Sequence, residues 1–357
     1  MPNRLDSIFT RCRRLAGGTP ARRLYVALTV AVVLFGAPAP TAAQMSPEMQ
    51  SCQFPGEDDL EKVRQIANCR KLYDNKSSTV EDRGSAMSMI GQMHVYRYSM
   101  YRAKGPDKDP AELPKALAAY NEALKLQPEY SWHYLYRAEL YLLLGDLDRA
   151  IADYTQQIRF DPKRQEAYGE RGDACRAKGN FRCSIDDYSS QIKFIPYLNT
   201  NYLKRGQVHY LNGDYAAAIA DFERANRAVN GFAMLWLYMA RARSGADGRA
   251  ELEADAKRLR SEDWPFQLVD YFLGRRSADK ILTGMGVQRI TRIDPAIRCQ
   301  SQFYVGTWHL LRKERQQAAA AFKEATASEC PRRRFIRRGE RIDPVETDAA
   351  AAELRKL

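Results

Sequence analysis

The sequence has few of the features that mark catalytic sites, beginning with only four histidines among 357 residues. It contains no H-E-x-x-H metal motif, no G-x-S-x-G nucleophile motif and no glycine loop for binding phosphate. The adjacent pairs Asp58-Asp59 and Asp186-Asp187 would point to different faces of a helix, so neither forms a carboxylate dyad. The sequence therefore predicts no catalytic residue, no cofactor and no enzyme activity. An enzyme with an unrecognised site in residues 245–298 is the alternative.

The sequence also lacks an apolar run long enough to span a bilayer comfortably, because the longest, residues 24–36, is short for that purpose. This run follows a basic segment with six arginines and precedes a stretch of small residues that ends at Ala43. The pattern predicts a signal peptide over residues 1–43, cleaved after Ala43, and a periplasmic mature chain. Because no cysteine lies near that junction, a lipid anchor is disfavoured. An uncleaved signal that anchors the chain in the inner membrane is the alternative.

A period of 34 residues organises the middle of the chain. Glycine recurs at Gly145, Gly179 and Gly213, and proline recurs with the same period at Pro128, Pro162 and Pro196. Aromatic residues recur in two further slots, and small residues recur in two more. The aromatic slots are Tyr120, Tyr154, Tyr188 and Phe222, and Tyr134, Tyr168, Tyr202 and Trp236; the small slots are Ala138, Gly172, Gly206 and Ala240, and Ala116, Ala150, Ser184 and Ala218.

These slots predict a helix–turn–helix unit. The aromatic and small residues lie four apart, one turn along each helix, glycine occupies the turn, and proline ends the second helix. The pattern resembles the tetratricopeptide repeat over most of residues 60–332. This resemblance implies an all-α fold, a right-handed superhelical solenoid of helical hairpins with a more irregular helical C-terminal part.

The register of the repeat sets the predicted domain boundaries. After the signal peptide we expect a helical cap (44–80), an atypical unit with a loop insertion (81–130) and three regular units (131–164, 165–198 and 199–232). A degenerate segment with short helices (233–298) and a last repeat-like unit (299–332) follow. The chain then ends in a basic tail and a final helix over the open end of the solenoid (333–357).

Six cysteines remain after the predicted signal is removed, and the repeat register favours pairing in sequence order. One pair brackets the first helix of the mature chain, one flanks the turn at Gly179, and one joins the two ends of the last hairpin. These pairs are Cys52 with Cys69, Cys175 with Cys183, and Cys299 with Cys330. Disulfides agree with export to an oxidising compartment. Free buried thiols are the alternative for Cys175 and Cys183. No metal site is predicted, because no C-x-x-C motif and no histidine at ligand spacing occurs.

The C-terminal half resembles the tail of bacterial envelope tetratricopeptide proteins, on the segments 271–274 (YFLG) and 303–306 (FYVG). Some of these relatives are lipoproteins that act as adaptors for peptidoglycan hydrolases and proteases. The resemblance implies a non-enzymatic scaffold or adaptor that binds another envelope protein or peptide. A regulatory subunit of a peptidoglycan hydrolase or periplasmic protease is the alternative.

A basic tail, residues 331–341, carries six arginines and one glutamate. It could contact an anionic surface, but a solvated loop is the simpler interpretation. It has a single aromatic residue, Phe335, so it lacks the stacking pattern of a single-strand binder. No nucleic acid is expected as a partner. Membrane contact is expected only through this tail or a retained signal anchor.

The resemblance also implies a concave groove, lined by residues of the first helices that the core does not use. The predicted groove residues are Trp132, Leu135, Glu139, Leu142, Glu166, Asp173, Arg176, Thr200, Leu203, Gln207, Tyr210, Leu237 and Arg241. Glu139 and Asp173 are acidic where the carboxylate clamp of this family would need cations or amides, which argues against a receptor for C-terminal carboxylates. Leu135 and Leu142 could instead pack against a neighbouring helix.

Overall fold

The structure is a computed structural model that describes most of the chain after residue 58. The described residues are 49, 52, 59–104, 111–227, 230–259, 264–282, 295–327, 330, 335–337, 340–342 and 345–357. The predicted signal peptide and its cleavage site lie outside them. None of the described helices has both the length and the apolar character needed to cross a membrane.

The described residues form sixteen helices and one two-stranded hairpin. The N-terminal helices are α1 (Asp59–Asp74), α2 (Val80–Lys104) and α3 (Glu112–Leu126). Three hairpins follow: α4 (Ser131–Leu144) with α5 (Leu147–Phe160), α6 (Gln165–Lys178) with α7 (Phe181–Phe194), and α8 (Asn199–Asn212) with α9 (Tyr215–Asn226). The C-terminal elements are α10 (Gly231–Arg243), α11 (Arg249–Ala256), α12 (Trp264–Phe272), α13 (Ala278–Leu282), α14 (Pro295–Leu311), α15 (Arg315–Ala325), β1 (Phe335–Arg337), β2 (Glu340–Ile342) and α16 (Val345–Leu354).

The chain divides into two compact units, and the division falls inside α2, after Met89. In the first unit, a disulfide joins Cys52 to Cys69 in α1. The helix α2 begins where the Thr79 hydroxyl accepts a hydrogen bond from the backbone N–H of Asp82 at 3.0 Å, a typical N-cap. Arg83 donates to the backbone carbonyl of Tyr73 at 2.9 Å, which ties the start of α2 to the end of α1.

In the second unit, the turns of the three regular hairpins are built alike. Gly145, Gly179 and Gly213 have φ angles of 81°, 84° and 85°, a left-handed conformation that only glycine adopts cheaply. The next residue in each case caps the second helix through its side chain, as Asp146, Asn180 and Asp214 do. Consecutive hairpins pack in series, so the predicted all-α helical solenoid is confirmed.

The aromatic residues of the first helices do more than fill space. The hydroxyl of Tyr134 donates to the backbone carbonyl of Pro128, six residues earlier, at 2.7 Å. Tyr168 and Tyr202 make the same bond to Pro162 and Pro196, at 3.2 and 3.1 Å. Each tyrosine therefore satisfies a carbonyl that is left without a helical partner at the end of the preceding unit. The sequence pattern did not predict this hydrogen bond.

Small residues let the paired helices approach closely, as predicted. A Cβ atom at Gly206 would lie only 2.7 Å from the ring of Phe222, which is fully buried. Ala138 and Tyr154 occupy the corresponding slots of the first regular hairpin, and both are fully buried. The period of 34 therefore repeats a contact as well as a residue type.

An arginine–aspartate ion pair joins the two helices of each regular hairpin, and the same arginine also hydrogen-bonds to the preceding unit. Arg137 in α4 donates to both carboxylate oxygens of Asp153 in α5 at 2.8 and 2.7 Å, and also to Asn121 Oδ1 in α3 at 2.7 Å. The same arrangement recurs as Arg171 with Asp187 and Thr155, and as Arg205 with Asp221 and Ser189. We call the three ion pairs the Arg–Asp ladder. Each arginine spans three helices and so fixes the register of one hairpin against the preceding one.

The C-terminal part departs from the regular repeat, as expected, and packs around a large aromatic cluster. Trp236 in α10 is fully buried and stacks on Phe303 of α14 at 5.3 Å between ring centroids. A disulfide joins Cys299 in α14 to Cys330 beyond α15, and another joins Cys175 to Cys183 across the turn at Gly179. The structure thus pairs all six cysteines in sequence order.

Part of the basic tail forms a short hairpin, which the sequence did not predict. Residues 335–337 and 340–342 form an antiparallel hairpin, in which Phe335 lies opposite Ile342 and Arg337 opposite Glu340. The final helix α16 follows three residues after this hairpin.

Removal of one carboxylate from the Arg–Asp ladder should destabilise the protein strongly. In Asp221→Ala, the largely buried Arg205 loses its bidentate partner, and we expect a loss of about 3 kcal/mol in the free energy of unfolding. Glu253→Ala removes a half-exposed ion pair with Arg275 and should cost less than about 1 kcal/mol. Urea unfolding of both variants with the disulfides intact tests this, and equal losses would contradict a structural role for the ladder.

Candidate protein-binding groove

The helix α16 lies against the first helices of several units, on the face where the sequence places a groove. Asp348 forms an ion pair with Arg176 of α6 at 2.5 Å. Glu353 forms an ion pair with Arg243 of α10 at 2.5 Å. α16 also packs against α8, α14 and α15. The chain's last helix therefore packs on the last hairpin, α14 and α15, and also reaches along the groove to Arg176 and Arg243.

The N-terminal end of α16 is held by α14. Glu346 accepts hydrogen bonds from the Tyr304 hydroxyl at 3.2 Å and from Gln300 Nε2 at 3.1 Å. Burial, and next the charge of Glu346, raise the pKa of Tyr304, so its hydroxyl stays protonated and can donate. Seven of the ten α16 residues are buried: Val345, Glu346, Thr347, Ala349, Ala350, Ala352 and Glu353.

Five of the thirteen predicted groove residues are buried, namely Asp173, Arg176, Gln207, Tyr210 and Leu237. Arg176 is 4% exposed and bonded to α16, Gln207 is 5% exposed, and Tyr210 is 1% exposed. Tyr210 packs edge-to-face on Trp236 at 5.2 Å, within the same hydrophobic cluster as the alanines of α16. Burial raises the pKa of its hydroxyl. Tyr210 is therefore a core residue and not an exposed anchor for a partner.

Two predicted groove residues of α10 face other helices. Arg241 forms ion pairs with Glu223 of α9, at 2.7 Å, and with Glu251 of α11. Leu237 is 3% exposed and contributes to the wall of a polar cavity of about 380 Å³ between the same helices. The groove contact from α10 comes instead from Arg243. The position that faces the groove has therefore shifted in this degenerate unit.

Asp173, predicted to line the groove, has a structural role. It accepts a hydrogen bond from the buried Tyr188 hydroxyl and an ion pair from Lys204 Nζ at 2.9 Å. Lys204 lies on α8, so this carboxylate links two units. The residue at the same repeat position one unit earlier, Glu139, is exposed. The same repeat position therefore links two units at Asp173 and carries an exposed side chain at Glu139.

The remaining predicted residues are more accessible. Glu139, Glu166 and Thr200 are exposed. Trp132, Leu135, Leu142 and Leu203 are half-buried. Leu135 and Leu142 pack against the cluster around Tyr154, and Leu203 packs against the cluster around Trp236, so part of each side chain belongs to the core.

The accessible residues of α4 border a group of aromatic side chains, Tyr130, Trp132 and Tyr136, which together with Arg164 we call the aromatic patch. The Arg164 guanidinium lies 3.8 Å from the centre of the Trp132 ring, a close cation–π contact. Tyr136 packs beside Trp132 at 6.1 Å between ring centroids, and burial raises its pKa to about 12. Tyr130 is 44% exposed.

The described residues contain one cluster with metal-ligand spacing, formed by Cys175, Cys183 and Asp187. The two cysteines are joined in a disulfide and Asp187 is bound to Arg171, so these atoms are already engaged. His133, one of the four histidines, is fully buried, and burial lowers its pKa to about 4. It is therefore neutral at physiological pH and serves the core.

Sequence reasoning missed the residues that hold α16. Arg243, Gln300 and Tyr304 were not predicted, and neither were their acidic partners on α16. No periodic signal marks these contacts, because each occurs once. The Arg–Asp ladder was also missed, although its members recur every 34 residues and a search for repeated charged residues would have found it.

The stack of helical hairpins with these turns and packing slots defines a helical-repeat protein of the solenoid class. Two segments, residues 119–152 and 200–228, match sequence profiles described as tetratricopeptide repeat. These two segments of the chain are therefore tetratricopeptide repeats. Proteins of this family generally bind other proteins and generally act as non-enzymatic scaffolds.

Solved structures similar to the chain include other repeat proteins. A tetratricopeptide repeat protein from Parabacteroides merdae is 16% identical, with a TM-score of 0.46, and the match covers 74% of this chain and 86% of that one. The C-terminal part of a repeat-containing protein from Cytophaga hutchinsonii is 16% identical, with a TM-score of 0.45 and coverage of 74% and 89%. MamA is 19% identical, with a TM-score of 0.40 and coverage of 52% and 95%. No curated protein matches the chain in sequence.

The two residues at the same slot of neighbouring repeats should respond differently to substitution. Asp173→Ala removes the acceptor for Tyr188 and Lys204, and we expect it to lower the free energy of unfolding by about 2 kcal/mol. Glu139→Ala changes an exposed side chain and should cost less than about 0.5 kcal/mol. Urea unfolding of the two variants measures the difference. Similar values would mean that Asp173 does not link the units.

Proposed function

We propose that this protein is an exported, non-enzymatic scaffold of the bacterial cell envelope that binds a segment of a partner protein on the accessible part of its groove. The two matched repeats support protein binding in general. The specific location favoured here is the aromatic patch on α4 and the exposed residues beside it, because α16 and the core already use the groove residues of the later units.

The composition and packing of the aromatic patch carry this proposal. Tryptophan, tyrosine and arginine are the residues that most often dominate binding energy at protein interfaces. In the patch, the Arg164 guanidinium lies over the Trp132 ring, so both side chains are held in place before a partner arrives. Glu139 and Glu166 are exposed on the first helices of the same two units and add polar contacts. An extended peptide or a helix with apolar anchors and a basic residue fits such a surface.

Export is supported by the N-terminal segment and by the cysteines. The basic, apolar and small-residue stretches of residues 1–43 follow the order of a secretory signal. Three disulfides join the six remaining cysteines, and disulfides persist in oxidising compartments such as the periplasm. An uncleaved signal would instead hold the same protein at the inner membrane.

Export makes a direct prediction for the mature chain. Protein purified from the periplasmic fraction of its source should begin at Gln44, because the signal peptidase would cut after Ala43. N-terminal sequencing and the intact mass measure this, and the mass also reports the three disulfides. Recovery of the full-length chain in the cytoplasmic fraction with reduced cysteines would contradict the proposal.

Binding through the aromatic patch predicts a local effect of substitution. The mature chain serves as bait for envelope proteins, and the affinity of the captured partner is then measured with purified components. Trp132→Ala should weaken that affinity by about 30-fold, corresponding to about 2 kcal/mol for a central aromatic anchor.

Tyr197→Ala provides the matched control for this measurement. Tyr197 is 77% exposed on the turn between α7 and α8, where a lost aromatic ring should not disturb the fold. We expect its substitution to leave partner affinity unchanged, with both variants keeping the circular dichroism and unfolding midpoint of the natural chain. A partner that tolerates Trp132→Ala but is lost with Tyr197→Ala would move the binding surface away from α4.

A further inference from the structure

The helix α16 carries few large apolar side chains. Its buried side chains are mainly alanines and acids, with Val345 as its single large buried apolar residue. Burial of an alanine methyl group contributes far less to stability than burial of a leucine or phenylalanine side chain. Ala349, Ala350 and Ala352 pack in the cluster around Trp236, and three acidic residues add charged and polar contacts with α6, α10 and α14.

An open pocket of about 410 Å³ lies beside α16, bordered by Ala351, Leu354 and Arg355 at the end of the chain and by Thr326 after α15. The pocket leaves room for a larger side chain at position 351 on this flank of the helix. Asp348 borders the pocket while it is bound to Arg176, so the space adjoins a charged contact.

The charges of the groove specify what else it can hold. Arg176 is almost fully buried and Arg243 is largely buried, and both lie opposite acids of α16. A cation buried in this way requires an anionic partner, because an unpaired buried charge is strongly unfavourable. Arg176 and Arg243 pair with Asp348 and Glu353, which lie five residues apart in α16. The Tyr304 hydroxyl and the Gln300 amide donate to Glu346, two residues before Asp348.

We propose that the groove formed by α6, α8, α10 and α14 is a binding site for an acidic helix of a partner protein, and that α16 is its exchangeable internal occupant. The partner helix carries acids with the spacing of Glu346, Asp348 and Glu353, and a larger apolar residue where α16 has Ala351. It displaces α16, fills the pocket and preserves the ion pairs. This site is separate from the aromatic patch and does not require that patch to bind anything.

The test uses the full chain and a labelled synthetic peptide of residues 343–357, with affinity measured by fluorescence anisotropy. In the natural chain, α16 competes for the groove at a high effective concentration. In Asp348→Lys/Glu353→Lys, the internal helix is repelled by Arg176 and Arg243, and the natural peptide should bind on the order of 100-fold more tightly than to the natural chain. A peptide with the same two lysines should not bind this variant.

A second variant reverses the charges of the groove and guards against a folding artefact. In Arg176→Glu/Arg243→Glu, the natural acidic peptide should fail to bind and the lysine peptide should bind. Equal binding of both peptides to both variants would overturn the proposal, because recognition would then not depend on these charges. Circular dichroism confirms the helical fold of each variant before titration.

The pocket beside α16 predicts a larger side chain at the position of Ala351 in the partner helix. A natural-sequence peptide with Ala351→Leu should bind the Asp348→Lys/Glu353→Lys chain about tenfold more tightly, since its side chain fills space that is empty beside α16. Weaker binding of this peptide would remove the pocket from the site. A full-length chain that sediments as a dimer and exchanges α16 between copies would make a second copy the occupant, and the partner proposal would be wrong.

The Trp132→Ala chain distinguishes this site from the proposed scaffold surface. Combined with Asp348→Lys/Glu353→Lys, it should bind the natural peptide with unchanged affinity, because the aromatic patch does not contact α16 in the described contacts. A loss of peptide binding with Trp132→Ala would mean that the aromatic patch and the groove form one site, and it would overturn the proposal of an independent acidic-helix groove.

Discussion

The Arg–Asp ladder is the interaction on which the arrangement of the repeats depends. Each of its arginines reaches from a first helix to its own second helix and also to the second helix of the preceding unit. Because both groups are mostly buried and bidentate, the geometry tolerates little rotation of one hairpin against the next. The bond from each first-helix tyrosine to the preceding proline carbonyl acts across the same boundary. Together they set how the first helices line up, and hence which side chains face the groove.

The regular hairpins could be predicted from the sequence because the same contact recurs at every slot. Gly179 sits in a turn that needs a left-handed residue, and Gly206 sits where a Cβ atom would collide with Phe222, so a period of 34 in residue type is also a period in structure. The role of Asp173 could not be predicted in this way. Asp173 occupies the same repeat position as Glu139, but it forms an ion pair with Lys204 of the next unit. A pattern of recurring residues does not reveal a partner that occurs only once.

The occupant of the groove could not be predicted for a related reason. The contact between Arg176 and Asp348 joins residues 172 positions apart, and the one between Arg243 and Glu353 joins residues 110 apart. An alanine-rich helix has no apolar stripe that would indicate which faces are buried, and in α16 nearly all of them are. Its place at the end of the chain predicted a cover over the open end, and its packing on α14 and α15 agrees with that place, whereas its ion pairs with Arg176 and Arg243 were not predicted.

The contacts of α16 also change the kind of cooperativity that this solenoid has. A stack of repeats normally behaves as a linear array, in which each unit is coupled only to its neighbours and the ends fray independently. α16 links α6, α10 and α14 directly, so units that are distant along the stack share one set of contacts. From α6 onward, the units are therefore coupled to one another through α16 as well as to their neighbours in the stack. Opening any of these units must break contacts in the others, which favours all-or-none unfolding over stepwise fraying of this part of the molecule.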